Sequence, residues 1–197
     1  MLCNEPANES PAASKKSSSF YVAFLRGINV GGHASIQMAE LRAAFKNMGF
    51  LEVRTVLASG NVVFESEHSD KKAIADKIRS GLKRVLKKDI GVVLRSLDDL
   101  AKLCATEPFK GIRVTPDIRL YVTFLPERAK APAMALPYST PRGELRILRA
   151  SAAEVLSVVD LSKGKGTSEA MAILEKEFGA GVTTRNWNTF LKVLGRG

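Results

Sequence analysis

The 197-residue sequence predicts an α+β fold. Three observations carry this. An apolar run, Phe20–Leu25, enters a glycine-rich loop; two stretches, Met38–Met48 and Asp70–Lys88, repeat apolar residues at helical spacing; and short β-branched segments lie between and after them. The composition, 45 % hydrophobic and 25 % charged, is that of a globular protein. No apolar run nears the roughly 18 residues of a membrane span.

Residues 1–19 are rich in Ser, Ala, Asn and Pro, with Leu2 as their one large aliphatic, and are expected to be a disordered tail. They lack the apolar stretch of a secretory signal, and Glu5 and Glu9 balance Lys15 and Lys16, unlike a transit peptide. The expected compartment is therefore the cytoplasm. Cys3 and Cys104 are too few for a disulfide framework or a clustered metal site, and read as two reduced thiols.

Phe20–Leu25 is apolar on both faces, as in a central strand covered on both sides. Gly27 breaks it. Met38, Leu41, Phe45 and Met48 then line one helical face, with Gly49 as a left-handed cap. Leu51–Leu57 and Val62–Glu65 read as a hairpin around Ala58-Ser59-Gly60-Asn61. Asp70 caps a helix to about Lys88, with Ile74, Ile78, Leu82 and Val85 or Leu86 inward, and Ile90–Arg95 is a further strand. The order βαββαβ over residues 20–96 predicts a ferredoxin-like subdomain with both helices on one sheet face. The opposite face is still apolar, so it needs cover from the rest of the chain or a second subunit.

Residues 97–197 are expected to form a second, smaller α+β subdomain packed on the first. Ser96 and Asp99 box the start of a helix to about Thr106, and Ile118–Leu125 is a strand. Pro126–Met134 reads as a short helix or turn, and Leu145–Leu148 with Val155–Val159 as a hairpin. Asp160–Thr167 is a loop, and Ser168–Phe178 a helix ended by Gly179. Thr183 or Thr184 is expected to cap a last helix, Arg185–Leu194. No internal repeat is evident residue by residue, although a degenerate α+β partner of the first half fits the second.

The formal net charge of +10 is spread over the body: 13 basic and 7 acidic side chains in residues 20–96, 15 and 11 in residues 97–197. Such a balance suits nucleic acid or anionic ligands, and equally a basic protein that stays soluble. The basic helix after Asp70 reads first as a solvated face. An RNA-recognition sheet needs stacking aromatics on its first and third strands; Tyr21 and Phe24 stand on the first, but Asn61-Val62-Val63-Phe64 lacks the glycine-and-aromatic pattern of the third.

Strand, glycine-rich loop and helix at Leu25–Leu41 invite a phosphate-cradle reading, yet the spacing fits neither Gly-x-Gly-x-x-Gly nor the P-loop. Arg26 and Asn29 leave the carboxyl end of the strand, where loops carry function. The competing structural reading has Asn29 tying its own loop and Arg26 pairing an acid. Thr183–Thr189 surrounds the single tryptophan, Trp187, with hydrogen-bonding side chains and an arginine, as a site or as an anchor. No nucleophile triad, metal cluster or cofactor motif is signalled.

Three blocks carry a resemblance: Tyr-Val-Ala-Phe-Leu-Arg-Gly-Ile-Asn-Val-Gly-Gly at Tyr21–Gly32, Ser-Gly-Asn-Val-Val-Phe at Ser59–Phe64, and Thr183–Thr189. They resemble the signature blocks of a bacterial family, domain-of-unknown-function family 1697, from about Phe20 to Leu194. The resemblance implies a ferredoxin-like unit plus a second α+β subdomain, and no established activity, substrate or catalytic residue. His33-Ala34-Ser35 and Thr167-Ser168-Glu169 depart from lysine-bearing stretches of the family, with Lys163 and Lys165 as substitutes.

The leading expectation is a non-catalytic or regulatory module that binds a small anionic ligand in a polar pocket where the three blocks meet. Arg26 and Arg185 would supply charge; Asn29, Ser59, Asn61, Asn186 and Asn188 neutral hydrogen bonds; Gly31 and Gly32 backbone amides. No metal, cofactor or membrane partner is expected, and the oligomeric state is left open. The alternatives are sequence-independent nucleic-acid binding and an enzyme acting on a small phosphorylated or carboxylated substrate.

Overall fold

A computed structural model describes residues 18–29, 35–127, 134–164 and 166–196. Within them lie five helices and two antiparallel sheets, a mixed α and β architecture. Most of the segment read as a tail, the Gly31-Gly32 pair and most of Pro126–Met134 fall outside the described residues.

The first sheet comprises β1 (Ser19–Leu25), β2 (Leu51–Val56), β3 (Asn61–Ser66) and β4 (Val92–Ser96) in the order β2-β3-β1-β4. With α1 (Met38–Asn47) and α2 (Lys71–Leu86) the element order is βαββαβ, compatible with the ferredoxin-like arrangement. Strand alternation divides β1 between two cores. Tyr21, Ala23 and Leu25 face α1 and α2, while Val22 and Phe24 face the other way. Asp70 caps α2 by accepting from the Lys72 and Ala73 amides. Leu86 packs on this core, whereas Val85 is 53 % exposed. In the hairpin, Asn61 is the first residue of β3 rather than a turn residue. Gly60 makes the turn, because its φ is +73° and a Cβ would lie 3.0 Å from both Leu25 and Ile28.

After α3 (Leu97–Ala105), capped by Ser96 as expected, the second sheet forms. It contains β5 (Ile118–Phe124), β6 (Tyr138–Ser139), β7 (Leu145–Ala150), β8 (Glu154–Asp160) and β9 (Thr183–Asn186), ordered β6-β7-β8-β5-β9. The short β6 has no counterpart in the sequence reading. The β7–β8 turn lacks glycine, and Ser151 closes it instead, its hydroxyl accepting from the Ala153 and Glu154 amides. Helix α4 (Thr167–Phe178) covers the outer face through Ala170, Leu174 and Phe178.

The last element departs from expectation. Thr183 and Thr184 do not cap a helix: they begin β9, an edge strand pairing β5 with Tyr121 opposite Asn186 and Phe124 opposite Thr183. Two adjacent β-branched threonines suit an extended edge, and the Thr123 and Thr184 hydroxyls lie 2.9 Å apart across it. Asn186 caps α5 (Trp187–Val193) by accepting from the Asn188 amide.

The two sheets meet face to face. Phe24 and Phe124 stack at 4.1 Å with 15° between ring planes, and Val22, Val63, Val122, Leu156 and Val158 surround them. Leu100 and Leu103 of α3, with Phe190 and Val193 of α5, complete this central layer. Arg54 donates to the Val193 carbonyl at 2.6 Å and pins the end of α5 beside β2.

A repeat runs through the chain: the second half is a degenerate partner of the first, and some matching residues are found once the strand orders are aligned. The order β7-β8-β5-β9 repeats β2-β3-β1-β4, and Arg185 stands opposite Val122 as Arg95 stands opposite Val22. The Leu25 amide donates to Gly60 and the Leu125 amide to Ala153, each at 2.8 Å. A Cβ at Gly91 would meet Arg26 at 3.1 Å, and one at Gly181 would meet Pro126 at 3.2 Å. The matching residues are Tyr21-Val22-Ala23-Phe24-Leu25 against Tyr121-Val122-Thr123-Phe124-Leu125, and Gly91-Val92-Val93-Leu94-Arg95 against Gly181-Val182-Thr183-Thr184-Arg185.

Candidate functional site

The three sequence blocks converge on Arg185. Its Nε donates to Asn61 Oδ1 at 2.5 Å, one terminal nitrogen to Thr183 Oγ1 (2.8 Å) and the Thr184 carbonyl (2.9 Å), and the other to the carbonyls of Leu25 (2.8 Å) and Ser59 (3.2 Å). The guanidinium also lies 5.7 Å from the Phe24 ring centre. Five N–H groups and five neutral acceptors leave no donor for a ligand. Burial pushes the Arg185 pKa down to about 10, so the group remains charged at neutral pH.

Arg95 repeats this clamp in the other direction. It donates to its preceding carbonyl at Leu94 (2.8 Å) and to the carbonyls of Leu125 and Ala153 (2.6 Å each), with its guanidinium 5.8 Å from the Phe124 ring. Burial lowers its pKa, opposed by the charges of Glu154, Asp99 and Glu127. Each half thus sends one arginine onto the strand end of the other.

Asn29 is also architectural. At φ +55°, its Nδ2 donates to the Ile36 and Ala58 carbonyls at 3.0 and 2.9 Å, and its Oδ1 accepts from the Ile36 amide at 3.0 Å. It closes the loop between β1 and α1 and ties it to the hairpin, as the structural reading of Asn29 has it. Asn29→Ala removes these bonds while keeping the positive φ, and is expected to cost about 2–3 kcal/mol. Asn29→Gly relieves the backbone and is expected to cost less; chemical denaturation of the two variants checks the order.

Ser59 and Asn61 lie behind Arg185: Asn61 Nδ2 donates to the Val56 carbonyl (2.9 Å) and Ser59 Oγ (3.0 Å). Asn186 and Asn188 are elsewhere. Because side chains alternate along β9, Asn186 points away from the face that carries Arg185. With Asn188 and Trp187 it lines a separate hollow of about 200 Å³ beside Val114–Leu120. A helix beginning at Arg185 would have grouped them; a strand separates them.

The larger opening is a cleft of about 700 Å³ at the end of β1. Arg26 and Gly27, the segment Lys88–Gly91, Met171 and Glu175 of α4, and Val182–Arg185 form its walls. Arg26 donates to Glu175 at 2.8 Å, and both side chains are more than two-fifths exposed. This joins residues 149 apart in sequence, one from each half. The Arg26 amide donates to the Gly91 carbonyl at 2.8 Å, which fixes the base of its side chain. In the repeat, Pro126 replaces Arg26, removing both guanidinium and amide donor, and the corresponding cleft between α2 and β4 holds about 290 Å³.

Five of the six cations of α2 are engaged. Lys71 pairs with Asp99 (2.9 Å), Lys72 and Arg79 with Asp76, and Lys83 with Asp89 (2.9 Å), while Lys77 lies 5.1 Å from the Phe50 ring. The β1 and β3 face that an RNA-recognition module would offer to bases is buried against the second sheet. Among the described residues no cluster of His, Cys, Asp or Glu is placed to hold a metal, and no helix is long and apolar enough to cross a membrane. Cys104 is a free, partly buried thiol.

Fold and cleft together define an α+β protein of two stacked sheets, clamped by reciprocal arginines and open at one strand end. The chain belongs to the family described as protein of unknown function (DUF1697), which matches residues 19–150. A solved structure, that of conserved bacterial protein SP0830 from Streptococcus pneumoniae, is similar at 21 % identity and a TM-score of 0.59. The match covers 91 % of this chain and 99 % of that one, and shows a shared fold. No curated protein matches the chain.

Proposed function

We propose that the protein is a binding module for a small anionic ligand, held at Arg26 in the cleft between β1, β9 and α4. The observation that carries this reading is the break in the internal repeat. Residues that obey the repeat, Arg95 with Arg185 and Gly91 with Gly181, serve the architecture. Arg26 does not obey it: a guanidinium stands where the other half has Pro126, at the mouth of the larger cleft. Among the described residues its guanidinium hydrogen-bonds to Glu175 alone, which leaves most of its five side-chain donors for an oxyanion.

The two arginines assigned to the ligand from the sequence therefore divide. Arg26 is the contact, and Arg185 stabilises the site from behind as an unneutralised positive charge. Met171, Ile90 and Val182 give the adjoining wall apolar character, which suits an anion with an apolar body. A cationic, partly enclosed cleft of this size fits a metabolite-sized ligand better than a duplex surface.

A thermal-shift comparison tests the reading, since a ligand of the native state raises the midpoint by mass action. Phosphate, phenyl phosphate, acetate and benzoate are expected to divide, with the aryl anions raising the midpoint of the wild type most. Arg26→Ala is expected to abolish the shift. Equal shifts in wild type and Arg26→Ala would contradict the site. Without ligand, a double-mutant cycle on Arg26 and Glu175 is expected to give only about 0.2–1 kcal/mol, as for other exposed pairs.

A further inference from the structure

We infer that Glu175 is a built-in competitor for the cleft, so that the ligand's oxyanion takes Arg26 by displacing the Glu175 carboxylate. This rests on the anion-binding reading and adds its mechanism of exchange. The carboxylate of Glu175 sits 2.8 Å from the Arg26 guanidinium, on the cleft wall, in the position an anionic head would take. Both side chains are partly exposed, so the exchange needs no unfolding. Glu175 lies late in α4, whose Ala170, Leu174 and Phe178 remain buried on the second sheet whether or not the pair is formed. Arg26 is equally anchored, by the hydrogen bond its backbone N–H donates to the Gly91 carbonyl and by the close approach of Gly91 to its side chain. Both ends are held and only the side-chain contact is exchangeable.

The exchange has a structural consequence. Arg26 belongs to β1's exit and Glu175 to α4, so their bond is a tie between the halves at the mouth of the cleft. Oxyanion binding replaces a protein–protein contact by a protein–ligand contact and releases the tie. The ligand class is a monoester phosphate or carboxylate carried on an apolar group, and paired probes distinguish the two heads.

The test is calorimetric titration of the full chain with phenyl phosphate and with benzoate, using wild type, Glu175→Gln and Arg26→Ala. Glu175→Gln removes the competing charge at almost constant shape, and is expected to tighten binding about two- to fivefold. Arg26→Ala is expected to weaken it at least tenfold. Hydrogen exchange at the C-terminal turn of α4 is expected to rise on saturation of the wild type, but not of Glu175→Gln. Unchanged or weaker binding by Glu175→Gln, with wild type still binding through Arg26, would overturn the competition and leave the site standing. Failure of all three proteins to bind either probe would overturn both.

Discussion

Arg185→Ala is expected to destabilise the protein by about 3–5 kcal/mol, among the largest effects of any single substitution. The change leaves the carbonyls of Leu25, Ser59 and Thr184, together with Asn61 Oδ1, without their guanidinium donor between the sheets. Each buried acceptor so orphaned costs about 1–3 kcal/mol, reduced where water enters the space. Arg185→Lys is expected to recover less than half of the loss, because an ammonium cannot present a planar fork to five acceptors. Urea denaturation read by Trp187 fluorescence measures this as a fall in midpoint at unchanged slope. Arg26→Ala in the same assay is expected to change stability by less than about 1 kcal/mol. The contrast separates an arginine of the architecture from one available to a ligand.

Phe24→Ala is expected to cost a comparable 3–5 kcal/mol, by about the usual scale for a buried aromatic. Phe24 is fully buried and stacks on Phe124 at the centre of the layer joining the sheets. Phe124 in turn packs on Phe190 of α5, so the cavity lies where three elements meet. For a protein of this length the loss corresponds to a melting-point drop of roughly 6–20 °C. Phe24→Leu leaves a smaller cavity and is expected to cost less. A small effect of Phe24→Ala would mean that the central layer contributes little to stability.

Much of this architecture is legible in local sequence. Asp70 and Ser96 announce their helices because a cap is decided by the next three residues. The two-sided burial of β1 follows from Phe20–Leu25 being apolar at both parities. The segment Thr183–Asn186 misleads for a physical reason: threonine both caps helices and favours strands, and pairing with β5, some sixty residues earlier, decides between them. Once it is a strand, alternation sends Arg185 and Asn186 to opposite faces, and the expected pocket divides.

The site was only partly legible for a related reason. That the three blocks meet could be inferred from their unusual polarity. That Arg185 would saturate its donors on backbone carbonyls could not, since those acceptors belong to Leu25 and Ser59 and carry no side-chain signature. The internal repeat did leave a signal, Tyr-Val-x-Phe-Leu at positions 21 and 121 and Gly-Val-x-x-Arg at 91 and 181. It is short and unevenly spaced, so it stands out only when the strand orders are compared. With it, Arg26 against Pro126 becomes the informative difference.

The most direct test of the anion site is the arginine Nε–Hε region of a nitrogen–proton correlation spectrum, recorded while phenyl phosphate is added. The expected result is a progressive, saturating shift of the Arg26 resonance, while Arg185, whose Nε donates to Asn61, and Arg95, buried away from the cleft, stay in place. An unmoved Arg26, or shifts confined to Arg79 and Arg84 on α2, would contradict it.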